Sequence, residues 1–124
     1  MSTAPGTKQD SMAVLDKAVL SAFARLRLRQ AELGAVLGLS PPAISRAVRS
    51  GVFPEVGKSR EHQLLLVRLY RALDSIVGGD DAVAAAWLRN PNSAFGGAVP
   101  LERMKSVAGL VDVLSYLDTR RAKI

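Results

Sequence analysis

The chain has 124 residues, 48% of them hydrophobic but only 5% aromatic, with 17 Lys and Arg against 11 Asp and Glu. That length fits one compact domain or two very small ones, folded on a Leu, Val and Ala core without a metal or disulfide. There is no cysteine and one histidine, His62, which excludes a disulfide scaffold, a thiolate zinc site, a Cys nucleophile and most His-based catalysis.

Met1–Asp10 is polar, holds Pro5 and Gly6, and lacks the apolar middle of a signal peptide, so the expectation is a disordered tail on a soluble, cytoplasmic protein. No apolar run approaches the ~18 residues of a membrane span. Ser11 is a candidate cap for a first helix over 12–27, with Val14, Leu15, Ala18, Val19, Ala22 and Leu26 at helical spacing. Leu33, Val36 and Leu37 mark a second, short helix that Gly38 ends. Ser40 as cap and Pro41 at the first position start a third, whose inner face is Ile44, Ala47 and Val48. Residues 52–60 read as a loop and a boundary. A long helix follows over 60–77, apolar on more than one face, and Gly78-Gly79 stops it. Asp80 or Asp81 caps a short helix over 82–89, a structured loop runs to Pro100, and helices over 101–106 and 107–121 close the chain. The expected fold is all-α: a helix-turn-helix bundle over 11–59, then a small helical domain over 60–124.

Charge is divided unevenly. Residues 1–60 hold nine basic and four acidic groups, a balance of +5, whereas 61–124 hold eight and seven, a balance of +1. A basic front half points to a polyanion, most often nucleic acid.

The spacing of Gln30, Gly34, Gly38 and Ile44 suits a helix-turn-helix, which needs a small residue where its helices touch, glycine in the turn and a branched residue packing back. It resembles the helix-turn-helix of the Xre and Cro repressor class. In that geometry the second helix enters the major groove. Arg46 is then the candidate for bidentate contact with guanine, Ser45 for base or phosphate, and Gln30, Arg29, Arg27, Ser40 and Arg49 for the helix ends and the phosphates. Pro41 and Pro42 stand where this class commonly has Gln, Thr or Ser, so direct readout rests on few residues and much of the affinity is expected to be electrostatic.

In the second half, Trp87, Leu88, Asn90-Pro91-Asn92, Ala94, Gly96-Gly97, Pro100-Leu101, Gly109 and Val113 resemble the C-terminal toxin-binding domain of Xre/MbcA/ParS antitoxins, with Phe95 where Leu is more common. With the helix-turn-helix, the resemblance covers about 15–124. Each loop residue also has a structural reading: Pro91 ends a helix, Asn92 bonds freed backbone, and the glycines allow positive φ. Trp87 reads as core and His62 as solvent-exposed. The resemblance implies a partner toxin whose RES domain consumes NAD, and an antitoxin C-terminal segment that reaches the toxin's cleft. Here that segment holds Tyr116, Arg120, Arg121, Lys123 and Ile124. It further implies an operator-bound homodimer or larger complex with toxin, the 60–77 helix and the last helix being the expected dimer surfaces. No nucleophile–base pair, metal cluster or phosphate loop is evident, so neither enzymatic activity nor a cofactor is expected. The alternative is a stand-alone repressor with a helical dimerisation or sensing domain.

Overall fold

The computed structural model describes residues 8–55, 57 and 59–123. Among the described residues, seven α-helices carry the fold: α1 Lys8–Arg25, α2 Gln30–Leu37, α3 Pro41–Ser50, α4 Ser59–Ile76, α5 Asp81–Arg89, α6 Pro100–Arg103 and α7 Val107–Ala122, with a 3₁₀ turn at Ser93–Phe95. No strand occurs among the described residues. The all-α expectation holds.

Local chemistry sets most helix ends. The Ser40 Oγ accepts the Ala43 N–H at 3.3 Å, Asp80 accepts the Val83 N–H at 3.2 Å, and Ser106 accepts the Gly109 N–H at 3.1 Å. Each replaces a hydrogen bond that a helix start leaves unmade. α1 departs from expectation at both ends. Ser11 lies inside the helix rather than capping it, and Lys8–Asp10, read as tail, are helical; Met1–Thr7 lie outside the described residues. At the other end α1 stops at Arg25. Arg27 takes a left-handed φ of 56°, and the Leu28 N–H reaches back to the Phe23 carbonyl at 3.1 Å. This is a Schellman ending with arginine where glycine is usual; it drops Leu28 into the core. α6 is shorter than read, because Ser106 ends the turn after it by capping α7.

α4 is the central helix, packed against α1, α2, α5 and α7. One cluster of buried side chains runs from Val19 through Leu33, Ile44, Leu66 and Leu73 to Leu110 and Leu117. Phe53 is its only fully buried aromatic, as the composition demanded. The apolar faces of α4 and α7, expected as dimer surfaces, are largely spent on each other. Val14, one of the apolar residues at helical spacing in α1, is 65% exposed.

Among the described residues, two ion pairs tie the front of the chain to the back. Asp16 of α1 is buried; it accepts the Phe53 N–H at 3.3 Å and Arg60 Nη1 at 2.6 Å. Arg60 also donates to Gln63 Oε1 and to the Phe53 carbonyl, so Phe53 is held between α1 and α4. The second pair, Glu32–Arg89, belongs to the site below.

Candidate functional site

α2 and α3 meet at Gly34. A methyl there would lie 3.0 Å from the Leu39 carbonyl oxygen and 3.6 Å from Ile44 Cγ2. Gly38 closes α2 in the left-handed conformation, and its N–H returns to the Gly34 carbonyl. Ile44 and Ala47 are buried against α2. The result is two short helices joined by a three-residue turn, as the spacing predicts. Arg46 and Arg49 are exposed on the outer face of α3, Ser45 is half-buried beside them, and Pro41 and Pro42 stand exposed at its start. A shallow groove of about 500 Å³ runs along α3 past Ser40, Arg46 and Ser50 to Val52 and Pro54.

The start of α2 is more committed than the sequence suggested. Gln30 is its exposed first residue and Arg29 its cap. The Arg29 N–H donates to Glu32 Oε1 at 2.8 Å, and its guanidinium reaches Oε2 at 3.2 Å. That N–H is therefore not free for a phosphate, although the Arg29 side chain remains 78% exposed. Arg89, at the end of α5, completes the cluster. Its Nη1 and Nη2 each lie 2.8 Å from a Glu32 oxygen, and Nη2 also donates to the Arg27 carbonyl at 2.9 Å. The Arg89 hydrogen bonds, helped by the Arg29 N–H and working against burial, hold the Glu32 carboxyl down at about 2. The same pairing raises Arg89 above the ordinary arginine range.

In the second half, the predicted loop residues serve the chain trace first. Asn90 Nδ2 donates to the Ala86 carbonyl at 2.6 Å, capping the end of α5 ahead of Pro91. Asn92 Oδ1 accepts the Ala94 N–H at 2.9 Å, and its own N–H and carbonyl bond Ala98 and Gly97 across the loop. Gly96 and Gly97 take positive φ, and Pro100 opens α6. Gly109 is required for space: a side chain there would collide with the Arg103 carbonyl.

Trp87 corrects the sequence reading. It is half-buried, not core, and stacks on Tyr116 at 6.2 Å and 15° while Phe95 meets both rings edge-on. His62 is half-buried rather than exposed, with Nδ1 enclosed and unbonded near Gly38. Arg120 and Arg121 are exposed on the last turn of α7 and Lys123 is its exposed C-cap, Arg120 lying 5.9 Å over the Tyr116 ring. Ile124 lies outside the described residues. The structure thus joins Trp87, Tyr116 and Arg120 but keeps them apart from Arg46 and Arg49, which sit on a different element.

Sequence reasoning missed Glu32, Arg89, Asp16 and Arg60. The Arg29-x-x-Glu32 spacing carried a local capping signal for Glu32; nothing local marks Arg89, 57 residues away. Among the described residues, no group of three or more His, Asp or Glu could hold a metal, and no helix is long and apolar enough to cross a membrane.

No curated protein matches the chain. The family model of the antitoxin Xre/MbcA/ParS C-terminal toxin-binding domain matches residues 72–123. That span runs from within α4 to the end of α7 and contains the Asn90–Gly97 loop, Gly109 and the aromatic trio. Residues 72–123 of this chain are therefore similar to the antitoxin Xre/MbcA/ParS C-terminal toxin-binding domain family.

Proposed function

We propose that the chain is the antitoxin of a type II toxin–antitoxin pair. Residues 60–124 bind and neutralise a RES-domain toxin that consumes NAD. Residues 11–59 bind operator DNA in the shared operon and repress it. The observation that carries this reading is the toxin-binding domain match over 72–123. The partner is cytoplasmic, and so is the complex.

The DNA half is supported by the turn between α2 and α3 and by the exposed cations of α3. α3 lies in the major groove with Arg46 toward base edges. Arg49, Arg29 and Arg27 face phosphates, and Ser45, Ser40 and Gln30 supply neutral donors. A homodimer reads an inverted repeat with half-sites about one helical turn apart. On the toxin side, Tyr116, Arg120, Arg121, Lys123 and Ile124 form a basic end that enters a cleft shaped for an anionic dinucleotide. Cations on the last turn also suit the helix dipole, so activity must separate the two roles.

The test is an NAD-consumption assay on the purified product of the adjoining reading frame. Adding the full chain should abolish turnover at stoichiometric ratio. Full activity at saturating excess of the chain overturns the reading.

A further inference from the structure

The chain has few aromatic side chains: three Phe, two Tyr and one Trp. Only Phe53 is buried in the core. Trp87 from α5, Phe95 from the 3₁₀ turn and Tyr116 from α7 are instead gathered into one half-exposed cluster, with ring centroids 5.2–6.2 Å apart. Three of the six aromatic side chains are thus grouped where water still reaches them, although an aliphatic core lies beneath. Phe95 and Tyr116 line a notch of about 480 Å³ that Gly96, Arg103 and Asp112 complete.

The notch continues as a stripe along α7. Asp112, Tyr116, Arg120 and Lys123 are spaced four, four and three residues apart, the spacing of one helix face. Asp112 is neutralised by Arg103 at 2.9 Å. Arg120 has no carboxylate partner among the described residues and rests on the Tyr116 ring. The rim is therefore net positive. Trp, Tyr and Arg are the residue types that dominate binding energy at protein interfaces, set in partly desolvated pockets. Every residue of the notch lies inside the toxin-binding match.

We propose that this notch is the anchor of the toxin contact. One apolar side chain of an acidic toxin segment seats in the notch against the Phe95 and Tyr116 rings, and flanking carboxylates meet Arg120 and Lys123. The proposal rests on the antitoxin reading and adds where the partner is held and by what chemistry.

The test titrates the purified product of the adjoining reading frame into the full-length chain. Tyr116→Ala should weaken binding about 30-fold or more, the range of an interface hot spot, and Arg120→Glu about tenfold. Lys17→Ala, on the exposed side of α1, should leave it unchanged. Arg120 is exposed, so Arg120→Glu decides the matter even where Tyr116→Ala fails to fold. With 5-fluorotryptophan incorporated, the single resonance from Trp87 should shift on binding. Wild-type affinity in both variants, or an unmoved Trp87 resonance, overturns the notch and leaves the antitoxin reading standing. A Tyr116→Ala variant that loses only self-association assigns the notch to a second copy and also overturns it. No binding by the wild-type chain overturns the antitoxin reading itself, and the notch falls with it.

Discussion

Arg89 and Glu32 stand 57 residues apart and meet as a two-pronged ion pair, each guanidinium nitrogen 2.8 Å from its carboxylate oxygen. Glu32 belongs to the first helix of the turn motif; Arg89 closes the helix that leads into the Asn90–Gly97 loop. One side chain therefore fixes the start of α2 against the end of α5. Removing it leaves a buried carboxylate with only Arg29 for company. Arg89→Met should cost about 3 kcal/mol in urea unfolding, and Glu32→Gln less, because a neutral amide keeps part of the hydrogen bonding.

The same pair sets an acid limit. The Glu32 carboxyl is held at about 2 in the fold, below the ordinary value of 4.5. A depressed carboxyl stabilises the fold above its unfolded value, and that contribution is lost as pH falls through the folded one. The wild type should shed about 2 kcal/mol between roughly pH 5 and pH 2 that the Glu32→Gln variant does not shed. Urea unfolding of both proteins across that range measures the difference.

Two helical glycines should respond differently to alanine. A methyl at Gly34 sits 3.0 Å from the Leu39 oxygen, whereas one at Gly109 overlaps the Arg103 carbonyl. Alanine recovers about 1 kcal/mol of helix propensity at either site. Gly34→Ala should come out within about 1 kcal/mol of wild type. Gly109→Ala should lose about 2 kcal/mol or more, because backbone must move. Thermal unfolding of the two variants checks the order.

Arg27 holds a left-handed backbone at φ 56°, a conformation costly for any side chain. Arg27→Gly removes that cost and keeps the carbonyl that Arg89 uses. Glycine gives back part of the gain as unfolded-state entropy, leaving about 0.5–1 kcal/mol of added stability. If Arg27 faces phosphate as proposed, the same variant binds the upstream DNA of its operon more weakly. Calorimetric unfolding and a DNA titration read the two effects separately.

On α3, Arg46→Ala should lose about 1–3 kcal/mol on the preferred DNA site and flatten the preference at one base pair. Arg49→Ala should weaken all sequences alike and reduce the salt slope by about 0.9. Fluorescence anisotropy on matched and mismatched duplexes at several salt concentrations separates these. On α7, replacing Arg120 and Arg121 together with Ala should weaken toxin inhibition while leaving the unfolding curve unchanged; unaltered inhibition removes the basic end from the mechanism.

The sequence by itself determined what acts over three or four residues. Ser40 and Asp80 cap helices because the accepting oxygen and the free N–H lie within one turn, and Gly38 turns the chain on its own. The scarcity of aromatics likewise required an aliphatic core. Tertiary packing decided the rest. Arg89 finds Glu32 at a separation of 57, and Arg60 finds Asp16 at 44, only after α4 and α5 have docked. Trp87 reads as core by type, yet α7 brings Tyr116 alongside it and leaves both rings facing partly outward. Periodicity reports that a face is apolar; it does not report whether the neighbouring helix covers it.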